Sequence, residues 1–136
     1  PKVEYYQGRE GLERLFNGIL KIHKQTGEKE FFGYGINYSY TGMENFLNDI
    51  VQKRFEMNVR TRLLLPKNSK NIMEENTFGR EFRTIDIPEQ KAGLYIVGNN
   101  IYMFSYRDNV GIRIENKAIS TLLASVFERD WKTAEH

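Results

Sequence analysis

Few side chains in this sequence are of the kinds that perform covalent or metal-assisted chemistry. The chain has no cysteine, which excludes a disulfide framework, a thiolate nucleophile and a zinc site with cysteine ligands. Its two histidines are His23 and His136. His23 falls at the margin of an apolar helical face, so we interpret it as a structural or solvated residue. His136 ends the chain, fits the remnant of a purification tag, and is assigned no function. Any chemistry must come from other side chains.

Four arginines, Arg60, Arg62, Arg80 and Arg83, are the candidates for a phosphate or nucleic-acid patch. Glu81 interrupts them, and they lie on segments that need not converge, so we favour a solvated strand face. The formal charge of +2 comes from 20 basic and 18 acidic residues. These charges are dispersed along the chain, so charge alone does not indicate a nucleic-acid surface.

Length and composition indicate one soluble globular domain. The 136 residues are 40% hydrophobic and 28% charged, within the usual range for proteins that fold around a single core. No apolar run approaches the roughly 20 residues that a bilayer-spanning helix needs, and the start lacks the layout of a signal peptide. We therefore expect a cytoplasmic protein with no membrane contact. A start at Pro1 without methionine suggests a piece trimmed from a longer protein.

The pattern of apolar residues predicts the elements that position these side chains. Residues 3–7 are β-prone, and Gly27 ends the amphipathic helix that follows, because glycine readily takes the left-handed conformation of a helix end. The apolar residues of that helix recur at helical spacing: Leu12, Leu15, Phe16, Ile19 and Ile22. A strand is predicted over residues 31–37. Gly33 and Gly35 leave one of its faces as bare backbone, which another group can approach closely.

The middle of the chain predicts a helix, a buried strand and a loop. Thr41 and Glu44 have the spacing of a capping box, which indicates the start of the second helix. A strand over residues 59–65 contains the run Leu63-Leu64-Leu65, which suits a strand covered on both faces. Residues 67–79 indicate a loop with one short helical turn around positions 72 and 73.

The second half predicts a β-meander closed by a helix. Strands are expected at 81–87, 94–97, 101–106 and 112–115, with Gly98-Asn99-Asn100 turning a hairpin. Asn116 is a good cap for the last helix. Its apolar residues form one stripe: Ile119, Leu122, Leu123, Val126, Phe127 and Trp131. Of these, Leu123, Phe127 and Trp131 are candidates for a dimer contact, and we interpret them as core. The order of elements predicts an α/β fold, a mixed β-sheet with helices packed on its faces.

Three segments of this second half resemble TrmB-family transcriptional regulators. They read Gly-Leu-Tyr-Ile-Val-Gly-Asn-Asn-Ile-Tyr-Met-Phe-Ser at 93–105, Gly-Ile-Arg-Ile-Glu-Asn at 111–116 and Val-Phe-Glu-Arg-Asp-Trp at 126–131. The opening, Tyr-Tyr-Gln-Gly at 5–8 with the residues to Leu20, also resembles the first strand and helix of that family. The likeness covers nearly the whole chain, and its value lies in the order and spacing of the segments.

The resemblance implies a phospholipase D-like effector-binding and dimerisation domain over residues 1–135. In that family a winged-helix DNA-binding domain precedes it, so DNA would be contacted only through a domain absent from this chain. The implied partners are a sugar-like small-molecule effector and a second copy in a homodimer. No cofactor or metal is expected.

Phospholipase D enzymes use a His-x-Lys-x4-Asp motif, whose histidine attacks phosphorus while the lysine holds phosphate oxygens. The comparable strand here precedes Ser105, which places the motif between residues 89 and 99. That segment contains Lys91 but neither histidine nor aspartate. His23 is followed directly by Lys24, which breaks the required spacing. The sequence therefore predicts that the chain is not an enzyme.

The resemblance places an effector at strand ends, where a phospholipase D-like site would lie. The candidate residues are Tyr34, Gly35, Ser105, Tyr106, Arg113 and Glu115. Aromatic rings cover the apolar faces of a sugar, while arginine, glutamate and serine bond its hydroxyls. The alternative is that the two tyrosines are half-buried sheet residues and that Arg113 and Glu115 form a solvated ion pair.

Three function classes stay open at this point. The first is the effector-sensing and dimerising half of a regulator. The second is a degenerate phospholipase D or nuclease-like phosphodiesterase half whose partner supplies the histidines. The third is a pure oligomerisation module without a ligand.

Overall fold

Backbone pairing joins seven strands into one mixed sheet. A computed structural model of the protein describes residues 2–36, 41–69, 78–89 and 91–135. The strands are β1 (Lys2–Gln7), β2 (Glu30–Tyr34), β3 (Arg60–Pro66), β4 (Arg80–Ile85), β5 (Ala92–Val97), β6 (Asn100–Ser105) and β7 (Val110–Glu115). The helices are α1 (Gly8–Thr26), α2 (Glu44–Glu56) and α3 (Lys117–Thr133), and a short 3-10 turn covers Lys67–Ser69.

The sheet order is β1-β7-β6-β5-β2-β3-β4. Strands β2, β3 and β4 run parallel, and all other neighbours are antiparallel. Val97 pairs with Asn100, so the predicted hairpin is confirmed with Gly98-Asn99 as its two-residue turn. Gly98 has a φ of 57°, which a glycine adopts without strain. The predicted α/β class is confirmed.

Helices α1 and α2 cover one face of the sheet and form the larger core. From α1, Leu12, Leu15 and Ile19 are fully buried, because their spacing directs one stripe inward. The strands contribute alternate residues such as Phe31 and Tyr95, whose ring centroids lie 4.5 Å apart. Burying each large apolar side chain stabilises the fold by about 1.5–3 kcal/mol.

Helix α3 crosses the opposite face. It begins beside the β5–β6 turn, where the Ser120 hydroxyl donates to the carbonyl of Gly98 at 2.5 Å. It ends near β4, with Phe127 and Trp131 packed on Leu64. Leu64 therefore faces α3, whereas Leu63 and Leu65 face the larger core. The prediction that β3 is covered on both faces is confirmed.

The core interpretation of α3 is confirmed for Phe127 and Trp131, but the predicted stripe as a whole is not buried. Ile119 is 43% exposed and Leu122 is 65% exposed. At 3.6 residues per turn they are rotated about 80° and 140° away from Phe127. The helix buries a narrower line of residues, Ser120, Phe127 and Trp131. The sequence stripe is therefore wider than the surface that α3 contacts.

Two further predictions at element ends are corrected. Thr41 does not form a capping box, because its hydroxyl accepts from the amide of Met43 at 2.9 Å and α2 starts only at Glu44. Strand β2 ends at Tyr34, three residues before the predicted end. The helical turn expected at positions 72 and 73 lies outside the described residues. None of the helices in the described ranges has the length and apolarity that crossing a membrane requires.

Candidate functional site

A cavity of about 700 Å³ opens on the α3 face, where β2 and β3 end. Its floor is one register row across the sheet, in which Tyr5, Ile112, Met103, Leu94 and Tyr34 pair in turn. These residues share a face because paired neighbours point to the same side of a sheet. Alternation in five strands thus lines up these side chains, of which Tyr34 contacts α3.

The outer walls come from the chain beyond the strand ends. Ile36 follows β2, Pro66 closes β3, and Ile87 and Pro88 follow β4. Gly35 contributes only backbone there, and its amide donates to the carbonyl of Leu64 at 2.9 Å. The cavity is therefore concave and mostly apolar, as small-molecule sites usually are.

Tyr34 stands between the cavity and α3. Its hydroxyl donates to Asp130 Oδ2 at 2.6 Å, and its ring meets Phe127 edge-on at 5.8 Å between centroids. Burial, the hydrogen bond and the charge of Asp130 raise the pKa of Tyr34 well above its ordinary value. The phenol stays protonated, and its proton is committed to Asp130.

Ser105 ends β6 at the cavity wall. Its hydroxyl lies 3.1 Å from Asp108 Oδ2, to which it donates, and it accepts from the Asp108 amide at 3.3 Å. These bonds tie Ser105 into the turn that leads to β7. Both predicted hydroxyl residues at this cavity are thus already bonded within the chain.

The other three candidate residues lie elsewhere. Tyr106 is buried, with its ring stacked on Phe16 at 6.2 Å between centroids. Arg113 points to the α1 face, because side chains alternate along β7 and Ile112 takes the cavity face. Glu115 is exposed at the far end of that strand. The expectation that all six candidates come together is wrong, and only Tyr34, Gly35 and Ser105 line the cavity.

Arg113 forms its own cluster rather than a solvated pair with Glu115. Its side chain is 9% exposed, and Nε donates to Glu4 Oε1 at 2.8 Å. A second nitrogen, Nη1, donates to the buried Asn100 Oδ1 at 2.7 Å. The cluster joins β1, β7 and β6 on the α1 face, so its position indicates a structural role.

The four arginines do not converge into a basic patch. Arg62 donates to Glu30 at 2.8 Å and to Glu128 at 2.6 Å. Arg83 lies 4.2 Å above the Trp131 ring and donates to the Trp131 carbonyl at 2.8 Å. Both are packed under α3, so the solvated face that we favoured is wrong for them. Arg80 lies over Phe82 on the other face, and Arg60 is exposed.

The apolar floor of the cavity is absent from the site predicted from sequence. Leu94, Met103 and Ile112 belong to predicted strands, yet in the structure they are only half-buried. A signal was available, because α3 is the only helix predicted after β4 and cannot cover a face of seven strands. Within the described ranges, no group of three or more His, Asp and Glu side chains is arranged to hold a metal.

Neither a protein-family model nor a curated protein matches the sequence. The fold does match solved structures. TrmBL2, an archaeal chromatin protein whose structure shows a novel mode of DNA binding, superposes with a TM-score of 0.66 and 16% identity. That match covers 100% of this chain and 52% of TrmBL2, so the chain spans about half the length of that protein.

The fold is not confined to DNA-binding proteins. Polyphosphate kinase from Porphyromonas gingivalis matches with a TM-score of 0.54 and 7% identity, over 96% of this chain and 23% of the kinase. At such identities the likeness shows the fold alone. Because one fold occurs in a chromatin protein and in a kinase, function must be argued from the site.

Proposed function

We propose that this chain is the non-catalytic, effector-sensing and dimerising domain of a TrmB-like transcriptional regulator. The observation that carries the proposal is the cavity of about 700 Å³ at the ends of β2 and β3. Its volume falls within the roughly 300–1,000 Å³ of small-molecule pockets. It also lies outside the carboxyl ends of parallel strands, where open α/β sheets commonly bind ligands.

The regulator context is supported by the structural match. The whole chain superposes on about half of TrmBL2, a protein described by its mode of DNA binding. In the proposed protein a winged-helix domain outside this chain contacts DNA, and the effector domain biases that contact. The isolated chain should then bind duplex DNA weakly, which an electrophoretic mobility-shift assay measures.

The sequence and the cavity residues also support the proposed non-catalytic role. The His-x-Lys-x4-Asp motif is absent from the sequence, and the hydroxyls of Tyr34 and Ser105 are bonded to Asp130 and Asp108. A phosphodiesterase needs a nucleophile and a cationic clamp at the site. We expect no turnover of bis(4-nitrophenyl) phosphate by the purified chain, and robust hydrolysis would contradict the proposal.

Dimerisation and a cytoplasmic location belong to the same proposal. The exposed Ile119 and Leu122 on α3 offer an apolar surface for a second copy. Sedimentation equilibrium should detect a homodimer, and Leu122→Lys should weaken it. A chain that stays monomeric at high concentration would remove this part of the proposal.

A compound panel with matched variants tests the sensing role. Ala92→Trp places a large ring at the cavity wall, and Ala118→Trp makes the same change on an exposed turn of α3. A ligand drawn from sugars, amino acids, nucleotides and aromatic acids should raise the melting temperature of the wild type and of Ala118→Trp, but not of Ala92→Trp. If no compound raises the melting temperature in a way that Ala92→Trp removes and Ala118→Trp keeps, the alternative of a pure oligomerisation module gains support.

A further inference from the structure

We infer that the effector of this cavity is an uncharged, largely apolar small molecule rather than a sugar. The inference rests on the proposed function, because it specifies the ligand of the same cavity. It departs from the sugar-like effector that the sequence resemblance implied. It is carried by the chemistry of the lining, the state of its hydroxyl groups and the exposure of its walls.

The described part of the lining offers no charge to a ligand. The sixteen described residues that line the cavity are apolar, glycine, tyrosine or serine, and none of these sixteen is charged. Arg113 and Glu115, which were expected to bond sugar hydroxyls, are not among them. A charged ligand would lose its hydration here without gaining a partner, which disfavours binding.

Few side-chain hydrogen-bonding groups are free among the lining residues that the structure describes. Tyr34 donates to Asp130 at 2.6 Å, and Ser105 both donates to and accepts from Asp108. Among the described lining residues, Tyr5 carries the one remaining side-chain hydroxyl. A sugar needs several convergent partners, since each buried hydroxyl left without one opposes binding. These walls would leave most sugar hydroxyls unpaired.

The walls instead leave apolar surface in water. Tyr5 is 76% exposed, Val110 42% and Ile87 37%. Between them, Leu94, Met103 and Ile112 form a half-buried floor. Covering this surface with an apolar molecule removes it from water, which favours binding. The rings of Tyr5 and Tyr34 suit a flat or aromatic compound.

A fluorescence titration with N-phenyl-1-naphthylamine, an uncharged aromatic probe, tests the inference directly. The wild-type chain should bind it saturably, with enhanced emission. Val110→Lys introduces a charge at the cavity wall, while Val3→Lys makes the same change on the same sheet face outside the lining. We expect binding to weaken about tenfold or more in both Val110→Lys and Ala92→Trp. In the first variant a bound probe would cover the new ammonium and remove it from water, and in the second the new ring takes up space in the cavity. Val3→Lys and Ala118→Trp should bind as the wild type does.

The outcomes separate this inference from the proposed function. If maltose or glucose raises the melting temperature and Ala92→Trp abolishes the rise, the ligand class is wrong while the sensing role stands. If the probe does not bind, or binds equally to Ala92→Trp and Val110→Lys, the inference is overturned. Sedimentation equilibrium tests whether a second copy of the chain occupies the cavity instead of a small molecule. If Val110→Lys dissociates the wild-type dimer and Val3→Lys does not, a second copy fills the cavity.

Discussion

Burial determines the protonation state of His23. It is 1% exposed, and its Nδ1 lies 2.7 Å from the carbonyl oxygen of Glu28. Nε2 has no hydrogen-bond partner among the described residues. The pKa of His23 is lowered chiefly by burial, and the positive charges of Arg54 and Lys29 lower it further. The neutral imidazole is therefore the native form, with Nδ1 donating to Glu28.

A pH dependence of stability follows from that lowered pKa. The unfolded chain takes up the proton near pH 6.5, whereas the folded chain resists it. His23 thus contributes its full stability above about pH 6.5, and this contribution falls as the pH drops below that value. Urea unfolding at pH 7.5 and pH 5.5 measures the loss.

His23→Asn is the control for this effect, because its amide can donate to Glu28 but does not titrate. Carboxylates lower stability in acid in both proteins, so the difference between wild type and variant isolates the histidine. We expect the wild type to lose more unfolding free energy than the variant between the two pH values. Equal losses would show that His23 is not the titrating group.

Gly33 is required by a close approach between strands. Its φ is 156°, and a Cβ there would lie 2.0 Å from the carbonyl oxygen of Leu94. The helical Gly18 has room, with only the Tyr6 hydroxyl at 3.9 Å. We expect Gly33→Ala to lower the unfolding free energy by about 2–4 kcal/mol, since β2 and β5 must separate. Gly18→Ala should raise it by about 0.5–1 kcal/mol. Chemical denaturation measures both, and similar effects at the two positions would contradict the geometry.

At the scale of elements, Arg62 ties three of them together. From β3 it bonds Glu30 on β2 and Glu128 on α3, and its guanidinium lies 5.2 Å from the Phe127 ring centroid. Lysine keeps the charge but cannot make both bonds and stack on rings as the planar guanidinium does. Arg62→Lys should lower the unfolding free energy by about 1–2 kcal/mol.

Arg60→Lys is the matched control for Arg62→Lys, on the same strand and face. Arg60 is exposed, so its replacement should change the unfolding free energy by less than about 0.5 kcal/mol. If both variants were equally stable, the bonds from Arg62 to its two glutamates would be ordinary exposed ion pairs of little net value.

The sequence predicted the ends of helices correctly where a residue at the end itself fixes the boundary. Asn116 caps α3 by accepting from the amide of Ile119, and Gly27 ends α1 with a φ of 75°. Thr41 misled because its hydroxyl satisfies a nearer amide, that of Met43. The stripe of α3 misled for another reason. Periodicity shows which residues of a helix are apolar. The extent of the sheet surface that the helix contacts decides which of those residues are buried.

The position of the cavity could be predicted from the resemblance, but the residues that line it could not; effector binding there stays a prediction. The resemblance placed it at the strand ends, and Tyr34, Gly35 and Ser105 do line the cavity there. Whether a strand residue faces the cavity depends on register, and a shift of one residue reverses the face. Arg113 and Ile112 are neighbours in sequence but point to opposite sides. Only the pairing of β7 with β1 and β6 decides which of them faces the cavity.

At the scale of the whole molecule, the two faces of the sheet are unequally covered. Helix α1 buries seven residues against the sheet and α2, whereas α3 buries three. The face under α3 also carries the cavity and the exposed Val3, Tyr5 and Val110. Fewer buried apolar contacts mean that a segment opens at a lower free energy. The effector is thus proposed to bind on the sheet face covered by α3, the helix expected to open at the lower free energy.

Hydrogen exchange should resolve this difference between the helices. Under native conditions we expect the amides of α3 to exchange through local opening, at a lower free energy than those of α1, whose exchange should require global unfolding. Phe127→Ala should increase exchange along α3 more than along α1, because it removes the largest fully buried side chain of the smaller core. Mass spectrometry of peptides from the two helices measures the contrast, with Lys132→Ala as a control for loss of an exposed side chain from the same helix. Because the Tyr34–Asp130 bond links α3 to the cavity, a compound bound there should slow exchange in α3 preferentially. If a bound compound slows exchange in α1 and α3 equally, or in neither helix, the cavity and α3 are not coupled.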